Sequence, residues 1–207
     1  MAVLSIILKI LKMIVYTILG LVALIALAGL LFINLSPEFG GEPTVSQKQI
    51  YKESPQYKNG KFHNAIPTPM KMGPKKMLQV MFEFWKGAPG REPESPLPMQ
   101  KVDPEVITTK SDTLTRLTWF GHSAFLLEIA GKNILIDPMF GETPAPIPLL
   151  GPQRFNQELP IAVDQLPAID AVIFSHDHYD HLDYGTIQKL KDKVGQFYMP
   201  LGVGAHL

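Results

Sequence analysis

The chain reads as an α/β protein, and three observations carry that reading. Leu114–Phe120, Phe125–Ile129 and Asn133–Asp137 are short runs rich in apolar and β-branched residues, with loose period-two alternation. Further on, the buried-type run Ala171-Val172-Ile173-Phe174 leads through a polar loop into residues 184–194, where Ile187, Leu190 and Val194 recur at helical spacing before Gly195. A strand-like stretch, Gln196-Phe197-Tyr198-Met199-Pro200, follows. Strand, ligand-bearing loop, helix and strand is the order of a layered α/β domain.

The N-terminus differs from that domain. No charge stands between Lys12 and Glu38, and Met13–Ile33 is apolar enough to cross the about 30 Å hydrocarbon core of a bilayer as a helix. Ala26-Leu27-Ala28 loosely resembles a signal cleavage site, but the apolar run outlasts a signal core and predicts an uncleaved anchor over residues 1–35. Lys9 and Lys12 precede it, and the positive-inside tendency then puts the N-terminus in the cytoplasm. The expected topology is single-pass with the domain outside the cytoplasm, hence periplasmic in a bacterium.

Residues 36–113 read as an extended arm. Prolines are frequent there, and Ala88–Pro104 is especially rich in Pro, Gly and Glu. One short amphipathic helix is expected over Lys75–Trp85, packed on the catalytic domain through its Met and aromatic face, although Phe82, Phe84 and Trp85 behind a basic start also suit a membrane interface. The domain proper is expected from Leu114 to Leu207. Within it Gly131-Lys132 reads as a hairpin turn, and Asp137-Pro138 opens a long Pro/Gly-bearing loop to about Pro167. Formal net charge is zero, which leaves no basic field for nucleic acid. The absence of cysteine excludes disulfides and thiolate ligands.

The chemistry concentrates in His176-Asp177-His178-Tyr179-Asp180-His181, which holds three of the six histidines. Imidazole and carboxylate at this density suit borderline metals such as zinc. In an extended segment His176 and His178 project to one side and can grip one ion. Asp180 and His181 follow where the chain turns and can face a neighbouring position; Asp183 can cap the next helix. Two metals about 3.5–4 Å apart can share a hydroxide that attacks an ester, amide or phosphodiester. Asp180 would then hold a metal and orient the nucleophile. A polar loop that is His- and Asp-rich by chance is the plainer alternative, and three histidines at this spacing after a buried strand disfavour it.

His-x-His-x-Asp-His is also the signature of the metallo-β-lactamase superfamily, which the chain resembles. The likeness extends to Trp119-Phe120-Gly121-His122-Ser123-Ala124, Ile136-Asp137-Pro138-Met139-Phe140, Gly151-Pro152-Gln153-Arg154-Phe155, Leu166–Val172 and Pro200-Leu201-Gly202. These resemble the branch containing N-acyl-phosphatidylethanolamine-hydrolysing phospholipase D and its bacterial relatives. A weaker likeness lies in Ser54–Phe62. The resemblance implies the first half of an αββα sandwich with a two-zinc site: His176 and His178 on the first metal, Asp180 and His181 on the second. The family's remaining ligands, a third histidine, a bridging aspartate and a final histidine, are not recognisable here, and His206 follows the last strand too closely to be one of them.

The family position of Asp137 implies an acceptor orienting a metal-bound imidazole, against the plainer role of a turn aspartate. His122 is open between facing the metal pocket and a structural turn. Arg154 can meet a phosphate bidentately, though an exposed loop arginine is the simpler reading; His63 carries no assignment. The function implied is a membrane-anchored, zinc-dependent hydrolase acting on a phosphodiester or lipid, completed by a complementary C-terminal half. The alternative is a non-catalytic truncated or split half-domain that pairs with a partner chain or binds metal weakly.

Overall fold

The computed structural model describes residues 2–69, 72–109, 111–156 and 158–207. It contains two compact units, Met1–Gly41 with His206, and Glu42–Ala205 with Leu207. The first is dominated by α1 (Ala2–Leu35), 34 residues long. It is long and apolar enough to cross a membrane, and none of its apolar window is buried. Two of its polar side chains bond back to their own helix: Thr17 Oγ1 donates to the Met13 carbonyl at 2.9 Å and Asn34 Nδ2 to the Leu30 carbonyl at 2.7 Å. The helix begins well before Met13, because the apolar residues from Val3 onward continue it through Lys9 and Lys12.

The second unit opens with more structure than an arm. Helix α2 (Val45–Glu53) starts with a capping box: Gln47 N donates to Thr44 Oγ1 at 3.2 Å, and Thr44 N donates to Gln47 Oε1 at 2.8 Å. A hairpin follows, β1 (Tyr57–Lys58) and β2 (Lys61–Phe62). Asn59 and Gly60 turn it with φ of 54° and 76°, the left-handed pair that Asn-Gly supplies. Buried Tyr51 holds it to α2, with ring centroids 5.8 Å from Tyr57 and 5.4 Å from Phe62.

Helix α3 (Pro74–Lys86) forms where its periodicity predicts, but the expected packing against the domain is not found: none of its residues is buried. The short α4 (Pro104–Thr108), capped by Asp103, instead joins the core, with Ile107 fully buried. The domain therefore begins before Leu114. Proline-rich composition suggested a linker across residues 88–104, yet Val102 donates its N–H to the Pro160 carbonyl at 2.9 Å and packs against the core.

The main sheet has five strands in chain order: β3 (Arg116–Gly121), β4 (Ala124–Ile129), β5 (Lys132–Ile136), β6 (Ile169–Ile173) and β7 (Val194–Tyr198). The first three form an antiparallel meander; β5, β6 and β7 run parallel. The β4–β5 turn is Ala130-Gly131, one residue earlier than expected, with φ of 48° and 68°. Pairing aligns Leu126, Leu135, Val172 and Phe197 across one face. The first three of these are completely buried, and Phe174, Leu182, Ile187 and Leu190 are buried with them. Beside them Glu128 is buried and accepts two hydrogen bonds from the Arg116 guanidinium, each at 2.6 Å. The bond to Glu128 raises the Arg116 pKa against the opposing effect of burial.

Helix α5 (Tyr184–Leu190) covers that face but stops earlier than residue 194. A single helical turn, Lys191–Lys193, follows, and Val194 already belongs to β7. Gly195 is therefore no helix stop. A Cβ there would lie 3.0 Å from the Asp170 carbonyl, so the close approach of β7 to β6 explains the glycine.

Candidate metal centre

The histidine loop leaves β6 where parallel strands end, the edge at which open α/β sheets carry their sites. It is pinned at both ends. Phe174 and Leu182 are 2% and 3% exposed, so the loop between them cannot drift from the core. The His181 and Leu182 N–H groups both donate to the His178 carbonyl, at 2.9 and 2.8 Å, which turns the chain and brings Asp180 and His181 back beside His176. The His176 ring lies 4.5 Å from that of His178 and 3.9 Å from that of His181, centroid to centroid.

Asp183 fixes the downstream side. It caps α5 by accepting from Gly185 N and Thr186 N, and accepts from Gly141 N at 2.9 Å and the Thr186 hydroxyl at 2.5 Å. A side chain at Gly141 would press a Cβ to 2.9 Å from an Asp183 oxygen, so glycine is needed for this tie. The bond couples the loop after β5 to the helix behind the ligands, a role beyond the expected cap.

Among the described residues two groups of donor atoms result, the atoms of each lying within 4.8 Å of one another: His176, His178 and Asp180; and His122, Asp180 and His181. All four residues expected from the motif thus come together, and Asp180 is common to both groups. His122 joins them from the β3–β4 connection. A register shift between Trp119 and Gly121, with positive φ at Gly121 (104°) and His122 (45°), turns its ring toward the loop. Trp119 Nε1 donates to the His122 carbonyl at 2.9 Å and holds this turn. His122 Nε2 is 2.9 Å from Asp180 Oδ2. The side chain faces the donor groups.

Beneath the donors sits Asp137, only 3% exposed and itself at φ 42°. Oδ1 accepts from the Ser175 N–H at 2.7 Å; Oδ2 accepts from the Ser175 hydroxyl at 2.6 Å and from His181 Nδ1 at 2.8 Å. Burial opposes its charge, but the hydrogen bonds from Ser175 and His181 outweigh burial and hold its pKa below the ordinary carboxylate value. A carboxylate only accepts, so His181 must donate from Nδ1, leaving the Nε2 lone pair outward. The Ser175 hydroxyl spends its proton on Asp137 and can only accept from His176 Nδ1, 2.9 Å away. His176 is thereby also left with Nε2 as its free lone pair. One buried aspartate thus sets two tautomers, the second through a serine that sequence reasoning passed over. Its place immediately before the first histidine is the available signal.

Arg154 and His63 stand outside both groups. Arg154 N donates to the Glu142 carbonyl at 3.0 Å in the long loop, and His63 Nε2 lies 3.2 Å from the Lys58 carbonyl in the small hairpin. His206 ends the turn Val203–His206 and also belongs to neither group. A cavity of about 490 Å³ beside Phe84, Trp85, Arg91 and Pro152 is not lined by any donor. The donor set itself, imidazole nitrogen and carboxylate oxygen without sulfur, fits a borderline divalent metal.

Comparison with known proteins agrees with the motif. A family model described as "Beta-lactamase superfamily domain" matches residues 132–207. An uncharacterized protein of Mycobacterium tuberculosis is 36% identical over 174 residues, 83% of this chain and 46% of the relative. The N-acyl-phosphatidylethanolamine-hydrolyzing phospholipase D 1 of Caenorhabditis elegans is 29% identical over 112 residues, 53% of this chain and 31% of that protein. A metal-dependent hydrolase of Aeropyrum pernix is 33% identical over 75 residues, 36% of this chain and 25% of that protein. The chain spans about half the length of the mycobacterial relative it matches (46%). Across residues 132–207, the segment that carries the histidine loop, the chain is similar to the beta-lactamase superfamily domain.

Proposed function

We propose that this chain forms the metal-binding part of a membrane-anchored, zinc-dependent hydrolase that cleaves a phosphodiester, in the manner of a phospholipase D. The observation that carries the reading is the pair of three-donor groups sharing Asp180. His176 and His178 would hold one ion, and His181 the other. Asp180 would serve both and orient the nucleophile, with His122 Nε2 2.9 Å from its Oδ2. Zinc, when bound, supplies Lewis acidity and makes water nucleophilic near neutral pH. The chain's own contribution is preorganisation: Asp137 and Ser175 present the Nε2 atoms of His181 and His176 before any ion arrives.

The phosphodiester assignment draws on the name of the Caenorhabditis elegans relative, and α1 supplies the anchor that would bring such a domain to a lipid substrate. Lys9 and Lys12, ahead of the apolar run, support a topology with the N-terminus in the cytoplasm and the domain outside it. A reporter fused after Leu207 that is active only in the cytoplasm would overturn this orientation.

Metal per chain, measured by elemental analysis on detergent-purified protein, tests the site. The expected result is close to two zinc ions in the wild type and loss of metal in His176→Ala. A wild-type chain without metal would refute it.

A specific observation favours a second reading, in which the chain works only when paired with a complementary half. The second face of the main sheet is apolar and uncovered: Leu117 and Trp119 are each 59% exposed, Tyr198 57% and Ile173 39%. Metal held without turnover of bis-p-nitrophenyl phosphate by the chain alone would support this reading.

A further inference from the structure

We propose that α3 is a surface-lying membrane helix whose occupant is the headgroup region of an anionic bilayer. The thirteen residues of Pro74–Lys86 bury nothing, although seven are apolar or aromatic. Met81, Phe82 and Phe84 are 61%, 62% and 60% exposed, and Trp85 reaches 83%. At about 3.6 residues per turn, the apolar arc runs from Val80 through Met77, Met81 and Trp85 to Phe82 and covers roughly 200° of the circumference. The remaining arc holds every polar side chain of the helix body: Lys75, Lys76, Gln79, Glu83 and Lys86.

Three features select a lipid surface as the occupant. The helix spans about 20 Å, too short for the about 30 Å hydrocarbon core, so it can only lie flat. An arc as wide as this exceeds the stripe a single packed neighbour covers, but suits half-immersion in the acyl boundary. The flanking charge is positive, three lysines against one glutamate, and Arg91 adds to it from above the Phe84 ring at 4.1 Å. Large aromatics on the apolar face with lysines at its borders match the chemistry of the interface, where Trp and Phe sit at headgroup depth and lysine stems snorkel outward. Anionic lipid complements those charges.

This contact is separate from the anchoring of α1 and from metal chemistry, and it can be tested apart from both. Because the chain has no cysteine, single cysteines at Met81, Gln79 and, as a control, Leu19 in α1 can be spin-labelled. The full chain is then reconstituted in nanodiscs of phosphatidylcholine, with or without phosphatidylglycerol. Accessibility to oxygen is compared with accessibility to a water-soluble nickel chelate. The Met81 label is expected to favour oxygen several-fold, the Gln79 label to favour nickel, and the contrast to grow with phosphatidylglycerol. Equal, water-like accessibility at both positions would overturn the proposal. Shielding of Met81 from both reagents would also overturn it, because the occupant would then be protein: a second copy or another part of the polypeptide. A contrast unchanged by phosphatidylglycerol would overturn the anionic preference. The Leu19 label reports separately whether α1 itself lies in lipid, so failure of the anchor is not confused with failure of α3.

Discussion

The two faces of the main sheet are built from nearly the same residue types and meet opposite fates. On one face Leu126, Leu135 and Val172 are fully buried beneath Ile107, Leu182, Ile187 and Leu190. On the other, register aligns Leu117, Leu127, Ile134 and Ala171 in one row, and Trp119, Phe125, Ile136, Ile173 and Tyr198 in the next. Most of these are apolar, and several stand open. Alternation in a strand therefore marks which residues share a face, but not which face receives a cover. The histidine loop belongs to the covered side, because Phe174 and Leu182, which bracket it, are core residues there.

Substitutions can break this contrast. Leu135→Ala should produce the largest effect, a loss of about 3 kcal/mol from transfer and cavity terms together, read by urea unfolding in detergent. Leu117→Ala, matched in chemistry but on the open face, should cost no more than about 0.5 kcal/mol. A loss above 2 kcal/mol at Leu117, on the order of a buried leucine, would mean that the second face is covered after all.

The Asp183→Ala variant should come next, at about 2 kcal/mol, because it removes the cap of α5 and orphans the Gly141 N–H at once. It should also loosen metal, since the helix and the loop after β5 lose their common tie. For Asp137→Asn the main expectation is in affinity rather than stability: zinc binding should weaken by about tenfold to a hundredfold in chelator competition. A neutral amide no longer holds the Nδ1 proton of His181 as a carboxylate does. Unchanged affinity would show that the tautomers are set elsewhere. The smallest effect is expected from Leu117→Ser, which should leave unfolding within about 0.5 kcal/mol while reducing self-association in light scattering.

Much of this fold is legible in the sequence. Three of the five strands follow from loose alternation, β6 from a short buried-type apolar run and β7 from a strand-like stretch, and the donor residues from the density of histidine and aspartate after an apolar run. What was missed has identifiable causes. The hairpin at residues 57–62 carried its own Asn59-Gly60 turn signal, but its strands are only two residues long and lack a hydrophobic repeat. Ile107 lay inside a proline-rich stretch, where composition suggested a linker; its burial depends on residues 126 to 190, far along the chain. Val194 fits a helical period as well as a strand, and pairing with β6 decided the matter.

The sequence by itself determined the kind of chemistry and its place along the chain: imidazole and carboxylate donors in one six-residue loop, an apolar run from Met13 to Ile33 near one end, and a series of short strands. These are local properties, set by ligand type, periodicity and side-chain transfer energy. Tertiary structure alone decided that His122 joins the donors from 54 residues upstream of His176, that Ser175 relays Asp137 to a second histidine, and that α3 stays bare. Each of these depends on which distant segments meet. That is settled by register across the sheet and by burial around one core, and neither is written in any single stretch of the chain.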